Sequence, residues 1–358
     1  MNKPHNKLKK RQSGLSMIEL MVALVIGLVL TAGAIQIFIS NKQTYRLESE
    51  LSRMQETGRF IVDTISKEVR MAGYTGCSSR GNIDMNTISN NPPPFDPTGE
   101  NAILGYEATG GGSWSPTFPT IIENAINDID GDASKDIISG TDFVIIQRAD
   151  ECGGTVDEID VANANIKINY PNTCDFQQDQ TVMVTNCRTA DIFSITNVTS
   201  NESSGRQNLA HSNSGNTDNR LSQTYGTDSQ AFIFRSNIFF IATGETGEPA
   251  LYMAQWNPVD PDDYTIIELA DGVVDMQILY GIDNAGGDEY ADNYVTANNV
   301  TDWNDVRSAR ISLLLQSDDN LTSESRSYMF NGAEANPGND RRLRMTFTST
   351  VTLRNRLQ

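Results

Sequence analysis

The sequence predicts an α+β protein in which one long N-terminal α-helix packs on a large antiparallel β-rich globular domain. Three observations carry that expectation. Residues 20–39 read LMVALVIGLVLTAGAIQIFI, free of formal charge, with Gln36 the one strongly polar side chain. An apolar period of three and four then continues through Leu47, Leu51, Met54, Gly58, Ile61, Ile65, Val69 and Ala72. Beyond Gly73 the chain breaks into short β-type segments separated by stretches rich in Gly, Asn and Pro.

The first element is long enough to cross a bilayer. Twenty helical residues span about 30 Å, the thickness of the hydrocarbon core. Lys3, Lys7, Lys9, Lys10 and Arg11 precede it, and the first 11 residues hold no Asp or Glu. A basic flank keeps that end in the cytoplasm and places the bulk of the chain outside. An ordinary secretory signal carries its small-residue cleavage site after a shorter apolar run. Here Ser13-Gly14 comes before the run, so cleavage would leave the helix on the mature chain.

The stripe past Ile39 marks one face of a helix, and Gly73 is its expected stop. A helix over residues 16–71 would be about 80 Å long at ~1.5 Å per residue. An anchor joined to an unrelated domain would show a polar linker at this point instead.

β-type segments are expected at Asp142–Arg148, Gln180–Thr185, Asp191–Val198, Ala231–Thr243, Ala250–Gln255, Val273–Tyr280, Val306–Leu315 and Arg344–Leu353. In the last, Met345, Phe347, Val351 and Leu353 alternate with threonines and Arg354, the pattern of a sheet with one buried and one wet face. Residues 81–139 contain the loop-like NNPPPFDPTGE. Residues 200–229 are polar and poor in large apolar side chains, so they read as a long mobile loop or a seam dividing the β region.

Charge narrows the function classes. The formal net charge is −19, from 46 acidic and 27 basic side chains. Five of the basic residues lie in the N-terminal patch, so the rest of the chain is more acidic still. Such a surface repels phosphate backbones, and no nucleic-acid partner is expected. Only two histidines occur, His5 and His211, and no GxSxG nucleophile motif is present, so the chain does not read as an enzyme.

One residue breaks the apolar pattern. Glu19 stands at the mouth of the run, where a carboxylate is costly unless it reaches the headgroups or meets a positive charge. The string RQSGLSMIELMVAL resembles the class III signal of type IV prepilins and type II secretion pseudopilins. Leu15 stands where Phe is commoner in that family. The resemblance implies a leader peptide over 1–14, cleavage by a prepilin peptidase between Gly14 and Leu15, and methylation of the new amine. It also implies that Glu19 neutralises the amine of Leu15 on a neighbouring subunit in a low-dielectric bundle.

Further strings, RFIVDTISKEVRMAGYTGC, VTNCRTADIFSIT, ELADGVVDMQILYGID, VRSARISLLLQS and RRLRMTFTSTVTLRNR, resemble PilW-type minor pilins. This resemblance covers most of 13–80 and 140–358. It implies a type IV pilin-like fold with a transmembrane and filament-core helix at 15–40, its amphipathic continuation at 41–72, and a periplasmic or extracellular β-rich domain at 73–358, with a subdivision near 200–229. It further implies a single-pass inner-membrane protein, periplasmic in its bulk, that moves to the pilus tip. Partners would be other minor pilins, the pilus assembly platform, the prepilin peptidase and a tip adhesin. A type II secretion tip pseudopilin and a ligand-binding tip adhesin are the alternatives.

Four cysteines, Cys77, Cys152, Cys174 and Cys187, lie on the exported side, where an even count favours two disulfides. Residues 155–170 read as a hairpin turning near Ala164, which favours Cys152–Cys174 with Cys77–Cys187. Cys174–Cys187 would require the chain to double back along Gln180–Thr185. Two acidic loops are Ca²⁺ candidates, and no other cofactor is expected. The first offers Asp128, Asp130, Asp132 and Asp136, though its glycine is fourth rather than sixth and no closing glutamate follows. The second offers Asp283, Asp288 and Asp292 beside Gly286 and Gly287.

Overall fold

The computed structural model describes residues 14, 16–76, 83–90, 102–117, 126, 137–160, 164–260, 263–284 and 290–356. The chain forms two compact units, Met1–Arg53 and Met54–Gln358. A single helix, α1 (Met17–Met71), supplies the first and opens the second.

In the first unit the start of α1 is fixed by a reciprocal cap. Ser16 Oγ accepts the Glu19 backbone N–H at 3.2 Å, and Glu19 Oε2 accepts the Ser16 N–H at 2.8 Å. Two of the helix's orphan donors are thereby satisfied. The large apolar side chains from Met17 to Ile39 are all exposed.

The second unit begins with the C-terminal part of α1. Its buried residues are Met54, Gly58, Ile61, Ile65, Ser66 and Val69, following the three-and-four spacing of the sequence. Fully burying an Ile or Val side chain contributes about 1.5–3 kcal/mol. The helix ends where expected. Gly73 adopts φ +71°, a left-handed conformation that glycine takes without strain. Asn355 Nδ2 donates to the Arg70 and Ala72 carbonyls at 3.4 and 3.3 Å, supplying donors for the helix end.

Eighteen strands follow among the described residues. The first nine are β1 (Asp84–Thr87), β2 (Ile103–Gly110), β3 (Ser113–Ser115), β4 (Phe143–Asp160), β5 (Asn165–Asn169), β6 (Thr181–Thr185), β7 (Thr189–Ser194), β8 (Asn197–Asn201) and β9 (Arg206–Ala210). Next come β10 (Gln230–Thr243), β11 (Pro249–Trp256), β12 (Tyr264–Asp271), β13 (Val273–Ile282) and β14 (Asn293–Val295). The remainder are β15 (Val306–Asn320), β16 (Tyr328–Phe330), β17 (Ala333–Ala335) and β18 (Arg342–Thr352).

A large sheet runs in the order β1-β7-β6-β10-β4-β5-β9-β8, with β11 and β12 joined through β10 and β2 and β3 through β4. A smaller one runs β14-β13-β15-β18, so β18 is an edge, and β16–β17 is a separate hairpin. Pairing is antiparallel apart from β1 with β7. The helix stripe packs in one cluster with Phe239 and Ile241 of β10, Met276 and Ile278 of β13, Ile311 and Leu313 of β15, and Val351 of β18. A second cluster gathers aromatics, with Phe143 and Tyr252 stacked against Phe240 at 5.8 and 5.7 Å.

Two polar contacts hold these layers in register. Glu68 on α1 meets Arg148 on β4 at 3.2 Å and accepts Asn237 Nδ2 from β10 at 3.0 Å. Asp150 in turn pairs with Arg148 and Arg235. Burial pushes the Asp150 carboxyl up, but hydrogen bonds from the two guanidiniums outweigh it and hold it below the usual range.

Residues 200–229 are not the expected loose seam. They contain β9, bury Leu209, Leu221 and Tyr225, and belong to the compact unit Met54–Gln358. The fully buried Asp191 supplies the reason. Its carboxylate accepts Ser222 N–H and Oγ–H, Tyr225 Oη–H at 2.6 Å, and Asn86 Nδ2 at 2.6 Å. A buried carboxylate with this many donors straps a polar segment down as apolar residues would elsewhere.

Candidate assembly surfaces

No described group of three or more His, Cys, Asp or Glu side chains could hold a metal ion. The first Ca²⁺ candidate, Asp128, Asp130, Asp132 and Asp136, lies outside the described residues, as does Asp288 of the second. Of the other two, Asp283 is buried against Arg307 at 3.4 Å. Asp292 Oδ2 accepts the Asn284 N–H at 2.8 Å.

Cys152 and Cys174 form a disulfide. It closes the base of the β4–β5 hairpin, in which Asp160 faces Asn165 and Ala164 takes φ 52°. Cys187 is disulfide-bonded and Cys77 lies outside the described residues. His211 sits 5.1 Å from the Phe193 ring in the buried interior, and burial lowers its pKa.

The most perturbed carboxyl is Asp142, at the junction of the two sheets. Its Oδ1 accepts the Ala108 N–H of β2 at 3.0 Å, and its Oδ2 accepts the Ile278 N–H of β13 at 2.8 Å. Burial drives its pKa up to about 7, with Glu107 and Asp275 adding to the rise against those two hydrogen bonds. Burial also raises Glu107 and Asp275. Beside this cluster, the buried Tyr280 hydroxyl would lie 2.1 Å from a Cβ at Gly105. The arrangement joins sheets; no nucleophile–base pair accompanies it among the described residues.

The N-terminal segment forms a second candidate surface. Among the described residues α1 is the one helix long and apolar enough to cross a membrane, and its apolar window is wholly unburied. Gly14 is exposed just ahead of it, while Leu15 lies outside the described residues. Glu19 points its carboxylate back at the Ser16 amide. The sequence carried this cap as Ser-x-x-Glu immediately before an apolar run, a signature our reading of Glu19 passed over.

Residues 9–35 match the prokaryotic N-terminal methylation motif. The C-terminal third decides the family likeness. Residues 238–355 match the family model of type IV pilus-assembly protein W. That stretch holds the C-terminal part of β10, all of β11–β18, and Asn355, which caps α1. No curated protein sequence matches. A type IV-like pilin from Thermus thermophilus aligns with 86% of this chain and 98% of its own at 8% identity. Its TM-score of 0.32 is too low to support any inference about this chain.

Proposed function

We propose that this chain is a minor pilin that takes part in initiating type IV pilus assembly and sits in a complex of minor pilins at the pilus tip. One observation carries the reading: the methylation motif opens a helix whose first part is apolar and uncovered and whose second part is built into the core of a PilW-type domain. The uncovered part suits insertion first in the inner membrane and then among other helices, since its backbone is satisfied internally and its side chains are apolar. The prepilin peptidase would act at Gly14–Leu15. Glu19 would then meet the amine of a neighbouring Leu15. Its activity is packing, against other minor pilins, the assembly platform and a tip adhesin, and no catalytic step is assigned to it.

The test is deletion of the gene, with a count of surface pili and identification of the minor pilins that co-purify with the restored protein. Loss of pili and recovery of other minor pilins are expected. Normal piliation with loss of secreted enzymes would refute the reading in favour of a type II secretion tip pseudopilin.

A further inference from the structure

We infer that the groove between the C-terminal part of α1 and the free edge of β18 binds an acidic, extended segment of a partner subunit, which adds to the small sheet as a fifth strand. This rests on the assembly role proposed above for the identity of the partner as a pilus subunit; the chemistry of the groove does not.

The groove has a volume of about 520 Å³, and Arg59, Phe60, Asp63, Arg70, Thr348 and Ser349 are among its walls. One wall is an unpaired strand edge. Leu353 N–H donates to Arg307 on β15, and β18 pairs with β15 alone. By the period of two, the N–H groups of Met345, Phe347, Ser349 and Val351 also face β15. Those of Thr348, Thr350 and Thr352 therefore face outward, with no backbone partner among the described residues. Thr346 Oγ1 donates to the Met329 carbonyl of β16. From Phe347 onward, beyond that contact, an open edge of this kind is a template for another strand, and residues 347–353 contain no Pro and no Lys.

The other wall selects the charge of the occupant. Arg59 and Arg70 are exposed and have no ion pair among the described residues, so two guanidiniums flank the groove against the single carboxylate of Asp63. In the tail after β18, Arg354 is exposed too; Arg342 and Arg344, on the strand itself, are already paired with Glu248 and Asp340. Asn355 places that tail against the end of α1, next to Arg70. In a chain of net charge −19, this is a basic strip on an acidic body, and it complements carboxylates projecting from a docked strand. Phe60, 54% exposed, supplies an aromatic anchor of the type enriched at interfaces.

The test uses the full-length chain in detergent micelles and fluorescent peptides of equal length, measured by anisotropy. One peptide alternates Thr with Glu, a second alternates Thr with Lys, and a third is the Thr–Glu peptide with alternate amides N-methylated to block one hydrogen-bonding edge. The Thr–Glu peptide should bind at least tenfold more tightly than the Thr–Lys peptide. N-methylation, and separately Arg59→Glu with Arg70→Glu, should each remove at least tenfold of that affinity. Equal binding of the two charges, indifference to N-methylation, indifference to the arginine reversal, or no binding of the Thr–Glu peptide would each overturn the proposal. Concentration-dependent dimerisation that excludes the peptide would also overturn it, by making a second copy the occupant. Normal piliation after gene deletion, with peptide selectivity intact, would instead refute the assembly role and leave the groove assignment standing.

Discussion

Replacing Asp142 by Asn removes the ionisation of the carboxyl that joins the two sheets. The amide Nδ2 cannot accept a backbone N–H as the carboxyl oxygens do from Ala108 and Ile278. That loss is independent of pH, so the pH dependence of the difference is what is read. The amide copies the protonated carboxyl in shape and cannot ionise. In the folded chain the Asp142 pKa stands at about 7, against 3.8 for the unconstrained group. A raised carboxyl pKa means that the folded state holds its proton after the unfolded chain has released it. Its contribution to stability is therefore fully present below pH 3.8 and is lost as pH rises through about 7. Three pH units at about 1.4 kcal/mol each give about 4 kcal/mol over that window. Urea unfolding of the full-length chain in detergent, followed by tryptophan fluorescence from about pH 4 to about pH 9, reads the difference. The wild-type midpoint should fall relative to that of Asp142→Asn across the window and run parallel to it above pH 8. Using the difference removes carboxyls of opposite sign, such as Glu248, held low by Arg342. A pH-independent difference, or a wild-type midpoint that rises relative to the variant, would refute the reasoning.

Four further outcomes are expected. Gly58→Ala would set a Cβ 2.3 Å from the Phe347 ring. Overpacking of about 1–3 kcal/mol should exceed the ~1 kcal/mol that Ala gains over Gly in a helix, so the thermal midpoint should drop. Cys152→Ser and Cys174→Ser should each destabilise by about 2–4 kcal/mol, and a double variant worse than either single one would deny that their effect is the shared bridge. Intact-mass analysis should place the mature start at Leu15 with a methylated amine; a start after Ile39 would sink the pilin reading. Glu19→Ala should be processed yet scarce in sheared pili, whereas Ser16→Ala, which loses only the helix cap, should enter them normally; an equal defect in both would reduce Glu19 to a capping residue.

The parts of the fold with strong periodicity were legible before the structure. The stripe from Met54 to Val69 needs only i, i+3 and i+4 spacing, and the Thr alternation of β18 needs only a period of two. The hairpin near Ala164 was legible because turn residues separate two short apolar runs. Residues 200–229 were misread because their order depends on Asp191, whose partners Asn86 and Tyr225 are 105 and 34 positions away. Composition registers polarity but cannot register that polar groups satisfy one another. Tyr264–Asp271 was missed as a strand for a similar reason, since its identity comes from pairing with β11. At the site, the N-terminal methylation motif was legible because its residues are contiguous. The Asp142 junction was not, because Ala108 and Ile278 lie 34 and 136 positions from it.

The placement of β18 against α1 also sets an order of events. Gly58 is covered by Phe347, Ser66 Oγ lies 3.5 Å from Ser349 Oγ, and Asn355 reaches back to Arg70. These contacts join residues more than 280 positions apart, so they form late in any folding sequence that begins at the N-terminal end. Until residues 345–355 have docked, part of the stripe through Ile61 and Ile65 lacks its cover. A chain ending near residue 340 would thus present a helix with a sticky, unfinished flank. Docking of the C-terminal strand is in this sense a checkpoint, and only a chain that has passed it has a finished helix.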